Sequence, residues 1–233
     1  MKIALIRKEY TLSWGGAESY VVNLSRQLLE IGHEVHVFAN TWDTTSDKRI
    51  TFHRVPMSTL YSPLKNLSFA LNSKRLLKKE KFDIVCGFSQ AYPQDVYRVG
   101  DGLHLHFLHT QSPHLLRRFL NYLNPRHLFI LFVEKQIFKP GNYLHIIANS
   151  RMCKRQVMNY YQVPEDRIEV IYNGVDLERF NPGARDTYRS EMREKLHISD
   201  EDTVVLFVSR NHKRKGLRHL IESLSLMGER HTL

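Results

Sequence analysis

The feature that most constrains this chain is the exchange of two hydrophobic periods along its first 172 residues. Short apolar runs bounded by turns occur at Ile3 to Ile6, Glu34 to Ala39, Thr51 to Val55, Asp83 to Gly87, His145 to Ala148 and Glu169 to Ile171, and each reads as a strand. Between them, Ala17 to Ile31, Leu64 to Glu80, His114 to Phe138 and Cys153 to Tyr161 carry apolar residues at every third or fourth position and read as amphipathic helices. Gly32 stands just past the first of these, where a left-handed helix cap belongs. Strand-helix alternation of this kind predicts an α/β fold of βαβ units with a mostly parallel sheet.

Around Asn173 to Gly183 the pattern breaks into Asn-Gly, Asn-Pro and Pro-Gly turn signals. The expected organisation is a first domain over 1–172, a connection over 173–202 and the start of a second domain over 203–233. The last part offers a strand, Val204 to Val208, and a helix, Leu217 to Met227, joined through Lys215-Gly216; a charged helical piece, Tyr188 to Leu196, precedes them. One strand and one helix cannot bury their own faces, because stable domains run to about 100 residues. The expectation is therefore a fragment or truncated product.

Of the 233 residues 42% are hydrophobic and 25% charged, enough for a substantial core. The longest apolar candidate, Leu128 to Val133, is closed by Glu134 and Lys135, far short of the roughly 20 residues a membrane helix needs. Residues Met1 to Arg7 read as a first strand rather than a signal peptide, so the expected location is the cytoplasm. Cys86 and Cys153 stand far apart without metal-ligand spacing and are read as reduced thiols. The net charge of +10 predicts attraction to polyanions. No RNA-recognition strand or zinc-finger spacing appears, which argues against a nucleic-acid partner.

Four stretches could carry chemistry. In Trp14-Gly15-Gly16-Ala17-Glu18-Ser19, paired glycines open a helix whose free N–H groups suit an anion or sugar hydroxyls. A Gly-Gly turn can equally serve geometry alone, and the strict dinucleotide fingerprint is absent. In Gly100-Asp101-Gly102, an acid on an open turn can accept a hydrogen bond or a proton from an acceptor hydroxyl, with His104 close by; the alternative is an Asp that caps its own turn. His104, His106 and His109 do not share one face at that spacing, so no metal site is read there, and Asp200-Glu201-Asp202 is read as a solvated turn. Finally, Ser209 to Gly216 sets Arg210, Lys213, Arg214 and Lys215 on a strand-to-helix loop, a cationic site for a diphosphate or else a basic surface loop.

Taken in order, Gly15-Gly16-Ala17-Glu18, Ile147-Ala148-Asn149-Ser150 with Lys154, Val163 to Ile168, Ile171-Tyr172-Asn173-Gly174-Val175-Asp176 with Arg179-Phe180, and Ser209-Arg210 with Lys215-Gly216 resemble the retaining family 4 glycosyltransferases of the GT-B fold. Asp95-Val96-Tyr97-Arg98 with Gly100-Asp101-Gly102 and Arg214-Lys215-Gly216 look most like the lipopolysaccharide core glucosyltransferase branch. The resemblance implies one complete Rossmann-like domain plus the first strand and helix of another. It further implies metal-independent transfer of a sugar from a nucleotide diphosphate sugar to a glycan or glycolipid hydroxyl, with retention and without a cofactor. Asp101 and His104 would stand at the reacting centre, Arg210 and Lys215 with Gly16 at the donor diphosphate, and Gly15 and Glu18 on the acceptor side. The family's paired glutamates for the donor have no counterpart in these residues, so this stretch alone is expected to be inactive.

Arg117, Arg118, Arg126 and Lys135 lie among Leu115, Phe119, Tyr122, Leu128, Phe129 and Phe132, a basic, aromatic-rich region that could rest on an anionic bilayer or simply pack within the first domain. The competing reading is a catalytically silent module that binds an anionic membrane or polyanion. A nicotinamide-dependent oxidoreductase would need the fingerprint this chain lacks.

Overall fold

The computed structural model describes residues 1–11, 16–43, 46–58, 61, 63–111, 121–178, 180–209 and 211–226. The chain divides into two compact units, Met1–Asn173 and Gly174–Leu233.

The first unit is built on a seven-stranded, all-parallel sheet. Its strands are β1 (Lys2–Ile6), β3 (Glu34–Ala39), β5 (Thr51–Arg54), β6 (Ile84–Gly87), β7 (Val96–Val99), β8 (His145–Ala148) and β9 (Ile168–Val170), in the order β5-β3-β1-β6-β7-β8-β9. Two short strands, β2 (Glu9–Tyr10) and β4 (Thr41–Trp42), pair separately. The order runs outward from β1 in both directions, so the connections on the two sides of β1 and β6 diverge and leave a crevice beyond the carboxyl ends of the strands.

Both faces of the sheet are covered, which is why β1 and β3 read as near-continuous apolar runs. Ile3 and Leu5 of β1 pack with Val35 and Val37 of β3 against Val21 and Val22 of α1 (Gly16–Glu30). The alternate residues Ala4, Ile6 and Phe38 pack against Phe69 of α2 (Leu64–Leu77). A further core joins Val99, Ile146 and Ile168 to Val133 and Ile137 of α4 (Pro125–Ile137) and Val157 of α5 (Arg151–Tyr161). The expected cap is present: Gly32 has φ +87°, a conformation that favours a residue without Cβ.

The structure departs from the sequence expectations in several places. The helical stretch expected over His114 to Phe138 is interrupted at Asn124: residues 121–123 are helical and a new helix starts at Pro125; Asn124 is extended, as the residue before proline prefers, and its side chain accepts the Arg126 N–H. Residues 114–120 of that stretch lie outside the described residues. An unforeseen helix, α3 (His104–Gln111), follows β7. Helix α2 stops at Leu77, short of Glu80.

In the second unit, the expected strand Val204 to Val208 has no ladder partner among the described residues and forms no strand. Its side chains still alternate, with Leu206 82% and Val208 83% exposed while Val205 and Phe207 are half-buried. A strand is stabilised by its neighbour's hydrogen bonds, so the pattern alone is insufficient. Around it stand α6 (Gly183–Lys195), the single turn α7 (His212–Lys215) and α8 (Leu217–Ser225), none with a fully buried residue among the described side chains.

Candidate functional site

Because all seven strands run in parallel, the residues that follow β1, β6 and β7 meet at one edge of the sheet. Arg7, directly after β1, is buried; its Nη1 donates to the Phe88 carbonyl at 2.6 Å and lies 3.7 Å from Asp101 Oδ2. Asp101 itself remains open, with a side chain 72% exposed. Lys8 turns the other way, donating to Asn66 Oδ1 and, at 3.0 Å, to Gln90 Oε1. Burial, reinforced by the Arg7 charge, pulls its ammonium pKa down to about 8.

Arg98, at the end of β7, is buried with its guanidinium 3.8 Å from the centre of the Tyr20 ring, a cation–π contact. It donates to Asn173 Oδ1, and its Nε has no hydrogen-bond partner among the described residues. A Cβ at Gly100 would come within 2.6 Å of Arg98 Nη1, so any side chain there would displace the guanidinium. The Gly100 carbonyl accepts Asn149 Nδ2 at 3.0 Å, and Gly102 turns the chain with φ +77° into α3.

The start of α3 is held from a distance. Glu134 of α4 is buried and accepts the N–H groups of His104 at 2.6 Å and Leu105 at 3.0 Å, as well as the Tyr161 hydroxyl. Burial raises its pKa against the pull of those hydrogen bonds. His104 Nε2 meets His127 Nδ1 at 3.0 Å, and burial, then the charges of His127 and Arg126, lowers its pKa to about 4. The imidazole is therefore neutral near pH 7. His106 and His109 turn to Tyr160 and Tyr122, at 3.3 and 2.8 Å, so the three histidines do not converge on one point.

Of the residues singled out from sequence, the structure brings Asp101, His104 and the helix-opening Gly16 to this edge of the first unit. The side chain of Glu18 lies outside the description, as do Gly15 and Arg210 altogether. Lys215 ends α7 with an exposed side chain and precedes Gly216, which enters α8 with φ +84°. Sequence reasoning gave no role to Arg7, Lys8, Arg98 or Glu134. For Glu134 a signal existed, a lone acid inside an apolar helical run.

The first unit is thus an α/β domain, a Rossmann-like parallel sheet with an acid and several cations at its carboxyl edge. The family model for Glycosyltransferase Family 4 matches residues 14–179, and the chain belongs to that family. Among its relatives is an uncharacterized glycosyltransferase of Methanocaldococcus jannaschii, 24% identical across 99% of this chain and 61% of the relative. Another is the lipopolysaccharide glucosyltransferase WaaG of Escherichia coli, 22% identical across 93% of this chain and 56% of the relative. A crystal structure of WaaG superposes with a TM-score of 0.79 at 21% identity, covering 96% of this chain and 59% of that one. Anabaena HepE, solved in complex with UDP-glucose, has a TM-score of 0.62 at 18% identity, covering 100% and 59%. The chain thus spans less than two thirds of the length of these relatives.

Proposed function

We propose that the protein moves a hexose from a nucleotide diphosphate sugar to a hydroxyl of a glycan or lipopolysaccharide-core acceptor with retention, and that residues 1–172 form the acceptor side. The observation that carries this reading is Asp101: a carboxylate left open at the crevice edge, beside Arg7 and on a glycine-flanked turn. In this scheme Asp101 accepts a hydrogen bond from the incoming hydroxyl, and neutral His104 offers a second polar contact. Gly15, Gly16 and Glu18 border the acceptor at the opening of α1. Arg210 and Lys215 neutralise the departing diphosphate, a task cations can perform without a metal ion. HepE, solved with UDP-glucose, supports a nucleotide sugar as donor.

The assay follows sugar transfer from a panel of nucleotide sugars to a core-truncated lipopolysaccharide, using the protein at its full encoded length. Asp101→Asn is expected to lower kcat about a hundredfold or more, the low end of what general acid–base groups contribute, with nucleotide-sugar affinity unchanged. Full activity in that variant would end the reading.

Peripheral contact with the inner face of the cytoplasmic membrane belongs to the same proposal. Leu128, Phe132 and Lys135 stand exposed at helical spacing on α4, beside exposed Arg126. Co-sedimentation with liposomes should rise with anionic lipid content; indifference to it removes this part.

A further inference from the structure

The scheme above uses the carboxyl edge of the sheet. Nearer its amino edge, three groups of metal-ligating type converge from residues far apart in sequence. His36 and His53 are each the third residue of their strands, β3 and β5, which pair in parallel with Phe38 opposite His53. Strand alternation puts His36 and Phe38 on one face. The His53 ring stacks on both, 4.3 Å from Phe38 and 5.1 Å from His36. Glu80, in the connection between α2 and β6, reaches the same place. His36 Nδ1 lies 2.8 Å from His53 Nε2 and 4.0 Å from Glu80 Oε2, and one ligand atom of each residue lies within 4.8 Å of the others.

We propose that His36, His53 and Glu80 form a structural site for a divalent transition-metal ion, with zinc the best match. With bonds of about 2.1 Å, two ligands of a tetrahedral zinc stand about 3.4 Å apart, and the observed 2.8 and 4.0 Å bracket that value. The imidazoles need to part, and the carboxylate to close, by about half an ångström each to reach that spacing. His53 is half-buried and Glu80 sits at an exposed connection, so both have room to move.

The outer support is already in place. Glu34 Oε1 lies 2.7 Å from His36 Nε2, so that nitrogen donates its proton to the carboxylate and Nδ1 keeps its lone pair toward the ion. Two imidazoles, one carboxylate and a fourth position for water are nitrogen and oxygen ligands suited to zinc. An ion here would tie β3 and β5 to the α2–β6 connection.

Lys2 is the rival. Its Nζ donates to Glu80 Oε1 and lies 3.6 Å from Glu34 Oε1, so it can neutralise both carboxylates without a metal. That rivalry supplies the discriminating variant. Removing the ammonium should favour an ion, whereas a network that needs only Lys2 would merely lose stability.

The experiment titrates zinc into the metal-free chain by calorimetry and cobalt(II) by visible absorption. The 13 histidines make scattered binding the competing explanation, so the variants decide. One zinc per chain is expected, with a tetrahedral cobalt spectrum and a higher Tm when metal is bound. Binding should be lost in His53→Ala, weakened about tenfold or more in Glu80→Gln as for loss of a ligand's support, and tightened in Lys2→Met. Glu80 is at the surface, so Glu80→Gln keeps the test alive if His53→Ala fails to fold. No zinc uptake, uptake that neither ligand variant alters, or uptake unmoved by Lys2→Met would each overturn the proposal.

Discussion

Replacing Glu134 by Gln tests whether the turn that carries Asp101 is fixed from α4. The carboxylate spends Oε2 on the His104 N–H and Oε1 on the Leu105 N–H and the Tyr161 hydroxyl. A glutamine offers one oxygen, so its NH2 must face a donor at one of these points and leave that donor unsatisfied in a buried place. Such a group costs about 1–3 kcal/mol, and we take about 2 kcal/mol here. Amide hydrogen exchange reads the effect at its source: protection of His104 and Leu105 should fall by about thirtyfold, since about 1.4 kcal/mol corresponds to a factor of ten. Tyr161→Phe, which leaves both backbone bonds intact, should cost less. The pH dependence provides a second reading. Burial raises the Glu134 pKa above 4.5, so the folded state holds its proton longer than the unfolded state. This contribution is fully present below pH 4.5 and is lost as pH rises through the folded pKa, a slope that Glu134→Gln should abolish. Exchange at His104 and Leu105 within about threefold of the parent would refute the reasoning, because that is under 1 kcal/mol.

Two further outcomes follow from the same edge of the sheet. The Lys8 pKa falls from 10.5 to about 8, so between those values the unfolded chain holds a proton that the folded one has released, and stability should rise with pH across that window. Urea unfolding of parent and Lys8→Met at pH 7 and pH 10 checks this; parallel pH profiles would contradict it. For His104, lowered from 6.5 to about 4, the folded imidazole should show no NMR titration from pH 8 to pH 5, and its contribution to stability should be lost as pH falls through about 4. A titration midpoint near 6.5 would show that His104 is not buried in solution as it is here.

Much of the fold was legible because burial on both faces of a parallel sheet leaves a local trace. The runs at Glu34 to Ala39 and His145 to Ala148 coincide with β3 and β8. What escaped depends on partners remote in sequence. Helix α3 has weak periodicity of its own, and its first turn is completed by Glu134, 30 residues away from His104. The apolar run at Val204 to Val208 has the alternation of a strand but no neighbour to pair with among the described residues. In the site, Asp101 stood out because glycines flank it. Arg7 did not, because nothing local shows that it will meet Phe88, 81 residues on.

The motifs that mark the family are bound up with this loop in a way their spacing does not reveal. Asn149, from the segment after β8, donates to the Gly100 carbonyl, and Asn173, from the segment after β9, accepts from Arg98. Both side chains, from strands successively farther from β7, reach back to the residues on either side of Val99. Arg98 in turn fills the space a Gly100 side chain would need and stacks on Tyr20 of α1. Asn149 thus holds the backbone immediately before Asp101, and Asn173 and Tyr20 brace the neighbouring Arg98 side chain, while the Asp101 carboxylate stays exposed. An open acid on a flexible turn would lose orientation each time the turn moved; here the constraint falls on the backbone and the freedom is left to the side chain. That division suits a group that must meet an incoming hydroxyl, because positioning is supplied before the substrate arrives.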